Sequence, residues 1–255
     1  MTVHEAALLF GAAALAGALN SVAGGGSFIS FPALLYAGVP PIQANATNTV
    51  ALWPGTVASV TAYRDELRAQ RHVLFTLASV SVAGGVLGSE ILLHTPERTF
   101  MTVLPFLMLG ATLLFAFGPR ITKRAQTLLG HGDRVSWRVT AGAALLQFVV
   151  SIYGGYFGGG IGIVMLAMLG LLGIENIHAM NGLKTLLGAL INGVAVAIFI
   201  AARAVYWPHA AVMIGGAILG GYCGAMGAQR VPQAYVRAFV IVIGSSLTAY
   251  FLWKL

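Results

Sequence analysis

The chain has 255 residues, of which 58% are hydrophobic and 8% are charged, and its formal net charge is +7. Soluble domains carry about 25% charged residues, so the composition excludes a water-soluble fold and predicts an integral membrane protein. Nucleic-acid binding is excluded too, because the basic residues form no patch interleaved with aromatic side chains. They concentrate instead in two short stretches, 64–71 and 120–138, which the positive-inside rule places on the cytoplasmic face.

Apolar stretches long enough to cross a bilayer recur from one end of the chain to the other. A helix needs roughly 20 apolar residues to cross about 30 Å of hydrocarbon. The stretches are continuous rather than alternating, so helices are predicted rather than a barrel. About eight full spans are predicted, at 4–23, 44–63, 72–93, 97–118, 137–156, 180–202, 209–228 and 231–253.

Two shorter apolar segments, 27–37 and 161–172, are predicted to be half-helices, because each covers only about 16 Å as a helix. Each follows a glycine triplet, Gly24-Gly25-Gly26 in one case and Gly158-Gly159-Gly160 in the other. The first apolar stretch leads directly into the first triplet and has no Lys or Arg before it. We therefore expect it to belong to the mature protein rather than to a cleaved signal peptide.

The glycine triplets belong to a passage that occurs twice. They lie 134 residues apart, and Ala44 and Ala179, which open the following spans, lie 135 residues apart. The sequence therefore predicts an all-α polytopic protein with two homologous halves, 1–118 and 137–255, joined by a cytoplasmic linker at 119–136. If each short segment carries the chain across the membrane, the two halves have inverted topologies. If each short segment returns to the side from which it entered, the two halves have parallel topologies. We favour inversion, because it brings the half-helix N-termini together near the midplane.

The N-terminus of a half-helix offers unpaired main-chain N–H groups at the positive end of its dipole, which is an arrangement that binds anions. The groups that would do this are Gly25, Gly26 and Ser27 in the first half and Gly159 and Gly160 in the second. Close helix packing is the alternative explanation for the glycines.

Polar side chains open the span that follows each half-helix. These are Asn45, Thr47, Asn48 and Thr49 in the first half and Asn181 and Lys184 in the second. Lys184 lies well inside a predicted span, where an unpaired lysine costs about 2.5–3.5 kcal/mol on insertion scales. It either neutralises an anionic substrate, pairs with a carboxylate such as Glu175, or extends to the membrane surface.

Three further polar residues within spans are secondary candidates: Asn20, Gln147 and Glu90. Asn20 and Gln147 either line a cavity or form hydrogen bonds between packed helices. Glu90 either is exposed to water at the end of its span or couples transport to protons. No metal or other cofactor is predicted, because the six histidines have no paired ligand spacing and Cys223 is a lone cysteine. The sequence lacks a nucleophile elbow and a nucleotide-binding loop, so we predict that it is not an enzyme.

The segment from Asn20 to Leu67, with its weaker second copy from Gly154 to Val194, resembles the sulfite exporter family TauE/SafE. The match includes the glycine triplet, Pro32 and Gly38-Val39-Pro40. The resemblance implies a bacterial inner-membrane permease for sulfite, sulfonates or related small anions. The second copy departs from the pattern, because it lacks the counterpart of Pro32 and carries Lys184 near the position of Thr49.

These observations predict a secondary transporter of a small sulfur-containing anion that binds between the two half-helices. A passive anion channel and a carrier of an uncharged solute are the main alternatives, and an intramembrane enzyme would need a catalytic pair deep in the spans. The partners expected are the anion, the lipid bilayer and a coupling proton or ion. The abundant glycine-rich faces leave a homodimer open.

Overall fold

The computed structural model describes residues 1–22, 25–61, 71–129, 137–172, 174, 176–227 and 233–254. Within these residues there are ten helices and no strand, which confirms the predicted all-α class. The helices are α1 Val3–Val22, α2 Ser27–Tyr36, α3 Pro41–Thr61, α4 Arg71–His94, α5 Glu97–Leu129, α6 Trp137–Tyr156, α7 Ile161–Leu171, α8 Ile177–Ala201, α9 Trp207–Gly227 and α10 Gln233–Trp253.

Helix α5 differs most from the element predicted for its part of the chain. The predicted span ended at residue 118, but the helix continues to Leu129. Residues 120–129 are rich in Arg, Lys, Ala, Gln and Leu, which favour helix as strongly in water as in lipid. Hydropathy therefore marks where the apolar segment ends rather than where the helix ends. The rest of the predicted linker, 130–136, lies outside the described residues.

Several helices are suited to a lipid environment. Among the described residues, four stretches are long and apolar enough to cross a membrane: Val3–Asn20, Leu74–His94, Glu97–Gly118 and Ala179–Ala201. Large apolar side chains also face outwards, such as Phe75 at 80% and Leu145 at 66% exposure, which is unfavourable in water and favourable in lipid. The chain is a multi-pass membrane protein, and the count of eight full spans stays a prediction.

Two helix pairs pack with their backbones in contact. In the pair α1 and α9, a Cβ at Gly216 would overlap the main-chain oxygen of Phe10, and a Cβ at Gly220 would overlap that of Ala14. The residue numbers rise together along both helices, so the two run parallel. Helices α4 and α6 pack in the same way, with Gly88 against the main chain of Ile152. Small residues at these points allow the close approach.

Helices α3 and α8 cross at the centre of the molecule in opposite directions. The indole N–H of Trp53 donates to the main-chain oxygen of Ala189 at 2.9 Å, and the Trp53 ring packs on Gly193. Further back on α3, the Thr47 hydroxyl accepts from the main-chain N–H of Tyr206, which follows α8. Higher numbers on α8 therefore lie beside lower numbers on α3, as in an antiparallel pair.

The short helices are held by their neighbours. Helix α2 lies against α1, α3 and α10, and helix α7 lies against α5, α6 and α8. Because both are too short to cross the bilayer, at least one end of each must lie inside the protein, where lipid does not meet the unpaired main-chain groups. Phe28, Phe31 and Leu34 of α2 and Met165, Met168 and Leu169 of α7 are at most 2% exposed.

Helix α8 ends in a way that normally requires glycine. The N–H of Ala204 donates to the oxygen of Phe199 and the N–H of Arg203 donates to that of Ile200, both at 3.0 Å. This hydrogen-bond pattern places the residue after the helix in the left-handed region, usually as glycine, and α2 ends in this way at Gly38. In α8 the residue is Arg203, with φ 55°, the one non-glycine residue with positive φ in the described segments. A side chain there costs roughly 1–2 kcal/mol.

Replacing Gly220 by Ala tests the contact between α1 and α9. The new methyl group would overlap the main chain of Ala14, so the helices must separate, and overpacking of this kind destabilises by about 1–3 kcal/mol. We expect Gly220→Ala to lower the melting temperature in detergent by several degrees. Gly221→Ala is the matched control, because its nearest atom, the oxygen of Gly17, would be 3.9 Å away. Equal melting temperatures for the two variants would contradict the packing described.

Candidate functional site

The first glycine motif is closely packed, and one of its amides is already occupied. Gly25 has φ 89°, and Gly26 lies so close to Ala16 of α1 that a Cβ would overlap its main chain. The N–H of Gly26 donates to Oδ1 of Asn20 at 2.8 Å. The amides of Gly25 and Ser27 have no acceptor among the described residues. Asn20 thus caps the half-helix through one of the three predicted amide donors.

The polar side chains at the start of α3 hold that helix to three neighbours. Asn48 Oδ1 accepts from the hydroxyl of Ser30 in α2, and Asn45 Nδ2 donates to the oxygen of Tyr156 at 3.0 Å. Thr47, as described above, accepts from Tyr206, and the Thr49 hydroxyl donates within its own helix to Asn45 at 2.9 Å. The structure therefore does not gather these predicted residues around one ligand position.

The second glycine motif has more main-chain amides without an acceptor among the described residues than the first. Gly158 and Gly160 have φ 81° and 77°, and the hydroxyl of Tyr153 donates to the oxygen of Gly159 at 2.6 Å. The amides of Gly159, Gly160 and Ile161 have no acceptor in the described residues. Three consecutive N–H groups at a helix start form the arrangement predicted for an anion site.

Lys184 lies beside this motif. Its stem packs on Gly162, the second residue of α7, where a Cβ would lie 3.1 Å from the lysine Cδ. Its amine donates to Asn181 Oδ1 at 3.0 Å. The ion pairs formed by described residues are Met1 with Glu5 and His94 with Glu90, so Lys184 belongs to neither. Glu175, the carboxylate partner considered from sequence, lies outside the described residues.

The remaining candidates lie apart from Lys184. Gln147 donates from Nε2 to the hydroxyls of Ser81 at 2.7 Å and Ser151 at 3.3 Å, which ties α6 to α4. Its side-chain oxygen is buried without a partner in the described segments. Glu90 is at the end of α4, half-exposed, with its carboxylate 3.7 Å from His94 Nδ1.

The two glycine motifs are connected through aromatic rings. Phe31 of α2 contacts Phe157, the residue before the second triplet, edge to face with ring centroids 6.1 Å apart. Phe31 also contacts Phe100 at 6.3 Å, and Tyr153 packs against Phe157. Polar groups of the two motifs therefore have apolar rings between them in this conformation.

Sequence reasoning missed two polar residues at the motifs, Ser30 and Tyr153. The signal for Ser30 was its isolation within an apolar half-helix, since a buried hydroxyl needs a partner. Tyr153 carried no such signal, because tyrosine is common in membrane helices. Its role depends on the fold of the glycine loop.

A substitution at Ser30 tests the link between α2 and α3. Ser30→Ala leaves the buried Asn48 side chain without its donor, and an unsatisfied buried polar group costs about 1–3 kcal/mol. We expect a melting temperature several degrees below that of the parent protein. Ser59→Ala is the control, because that hydroxyl donates only to Gly55 within its own helix. If both variants melt alike, the Ser30 bond does not stabilise the fold.

The chain was then compared with known proteins. A family model described as "Sulfite exporter TauE/SafE" matches residues 9–251. The chain belongs to this family. The match covers both glycine motifs and Lys184.

Three relatives match this chain over nearly its whole length. The probable membrane transporter protein ORF9 of Sinorhizobium sp. is 30% identical over 97% of this chain and 92% of its own length. A probable membrane transporter protein of Haemophilus influenzae is 30% identical over 95% and 92%. The probable membrane transporter protein YfcA of Escherichia coli K12 is 27% identical over 96% and 89%. No solved structure matches the chain.

Proposed function

We propose that this TauE/SafE protein is a secondary transporter of a small sulfur-containing anion such as sulfite or an organosulfonate. Membership of the family supports an anion of this class. The names of the relatives, probable membrane transporter proteins, support transport as the activity. The structural support is the position of Lys184, which carries most of the argument.

A cation inside a membrane span is stable only with a partner or a watery cavity. Lys184 has the neutral side chain of Asn181 as its hydrogen-bond partner. Beside it, α7 begins with unpaired amides at the positive end of a helix dipole. Both features attract negative charge, and an anion bound here would satisfy both. Asn181 would keep the amine in place between transport events.

The local sequence fits this role. Gly162 leaves room for the lysine stem against the first turn of α7, while the amine donates to Asn181, one turn back on α8. Gly158 and Gly160 adopt left-handed conformations that turn the chain from α6 into α7. Such a turn brings consecutive main-chain N–H groups to the surface of a site.

We further propose that the halves, 1–118 and 137–255 with the linker 119–136, are related by inversion. If α1–α5 correspond in order to α6–α10, the contacting pair α1 and α9 corresponds to the pair α6 and α4. In the same way, the pair α5 and α7 corresponds to the pair α10 and α2. All four of these pairs are in contact. The pair α3 and α8 maps onto itself and is antiparallel, which favours inverted over parallel repeats. Transport would then proceed by rocking of one half against the other.

Lys184→Met tests the site. Loss of a charge-assisted hydrogen bond is worth about 1.5–3 kcal/mol, so affinity for sulfite or methanesulfonate should fall about 10- to 100-fold. Thermal shift measures this, because a bound anion stabilises the fold in proportion to its occupancy. Without anion, the variant should melt at or above the parent temperature, since a membrane cation has been removed.

Lys254→Met is the matched control, because Lys254 is exposed at the end of α10 beside Tyr250. It should bind the anions as the parent does. Unchanged anion affinity in a folded Lys184→Met protein would remove Lys184 from the site.

The mode of transport is tested in proteoliposomes. A carrier coupled to a proton should show saturable sulfite flux that responds to an imposed pH gradient. Flux that rises in proportion to concentration and ignores the gradient would identify a passive anion channel instead.

A further inference from the structure

A polar cavity of about 620 Å³ opens where four helix ends meet. One wall comes from the first half and includes Gln43 of α3, Glu90 and His94 of α4, and Glu97 of α5. The opposite wall is the end of α8 from the second half, including Arg203. The boundary between the proposed halves therefore passes through this cavity.

The cavity opens on the face opposite the basic stretches. Helix α4 begins at Arg71, in the basic stretch 64–71, and ends at His94 in the cavity wall. Since that stretch is expected in the cytoplasm, the cavity faces the other side of the membrane. Arg203 is 19 residues beyond Lys184, about 28 Å along the helix axis at 1.5 Å per residue. The two cations are thus separated by most of the length of α8.

Packing or ion pairing among described residues does not account for Arg203. It occupies, with φ 55°, a helix-terminal position where glycine would be relaxed. Glu90 and Glu97 line the same cavity, yet no described carboxylate comes within 4 Å of its guanidinium group. A strained residue at a ligand-accessible cavity motivates a functional hypothesis. The guanidinium group is available to a ligand.

We propose that Arg203 is a binding residue for the transported anion at the outer mouth of the transport route. This rests on the proposed function, and it adds a second anion contact about 28 Å from Lys184 along the axis of α8. Guanidinium binds sulfonate and sulfite oxygens through two parallel N–H donors, as it does carboxylate and phosphate. Gln43 lines the same cavity, and its side-chain amide can donate N–H groups to an anion.

The two carboxylates across the cavity from Arg203 weaken anion binding at this site. Glu90 and Glu97 repel an anion held by Arg203, so the contact is weak and releases its ligand readily. When the halves approach each other, the same carboxylates would compete with the anion for the guanidinium group. Anion occupancy at the outer mouth is therefore set by the balance between one cation and two carboxylates.

The rate of sulfite transport in proteoliposomes tests this balance. It is measured at sulfite concentrations below saturation and at 10 mM ionic strength. Arg203→Gly should reduce the rate about three- to tenfold, and the difference should disappear in 1 M inert salt, where the Debye length is about 3 Å. The variant should also melt about 2–4 °C higher, because glycine relieves the strained backbone. Arg203→Lys should retain most of the rate.

Glu90→Gln should change the rate in the opposite direction, with faster transport at low concentration, because one repulsive charge is removed. Glu5→Gln is the control, since this carboxylate pairs with the N-terminus and does not line the cavity. Parent-like rates for Arg203→Gly, or an Arg203→Lys protein as slow as Arg203→Gly, would overturn the proposal. So would a slower Glu90→Gln protein.

The two proposals fail in different ways. If the parent protein neither binds nor moves sulfite and methanesulfonate, the proposed function is wrong. If the parent transports these anions and Lys184→Met does not, but Arg203→Gly transports normally at low salt, then only the outer-mouth role of Arg203 is wrong.

Discussion

The structure depends on one requirement of a lipid environment, that each main-chain polar group finds its partner within the protein. A helix that stops inside the membrane breaks this rule at its end unless other groups cover it. At the start of α2 the cover is Asn20, which binds Gly26, together with Ala16 pressed against the turn. At the start of α7 the cover is incomplete, because three amides have no described acceptor. The main-chain groups at the two helix starts are therefore covered by different means and to different extents among the described residues.

Helix α3 supplies three of the hydrogen bonds that join residues 1–118 to residues 137–255. Trp53 binds Ala189 and packs on Gly193, Thr47 binds Tyr206, and Asn45 binds Tyr156. Of the four polar residues that open α3, Asn45 and Thr47 bind the second half, and Asn48 and Thr49 bind within the first. The equivalent stretch of α8 carries Asn181 and Lys184, which bind each other. Three of the polar residues at the start of α3 thus have partners on other elements, whereas Asn181 and Lys184 bind each other within α8.

Much of the fold could be predicted from the sequence. Every predicted span and both half-helices coincide with a helix, because the apolar lengths and glycine triplets are strong local signals in a membrane protein. The end of α5 could not be found by hydropathy, since the helix leaves the bilayer without a break. The partners of Asn45, Asn48 and Thr47 were not predictable either, because they lie on other elements and depend on how the helices pack. Lys184 stood out in the sequence, since a lysine inside a span is rare whatever the packing.

Gly162 and Lys184 lie in contact, with the lysine stem filling the space where a side chain on α7 would be. Because of this contact, substitutions at these two positions, which are 22 residues apart in the sequence, should be correlated. A larger residue at 162 excludes the extended lysine, and a short residue at 184 leaves a gap that a side chain at 162 can fill. Within the family, the two positions should therefore vary as a pair. Relatives with a neutral residue at 184 and a bulkier one at 162 would form a group with different substrate charge.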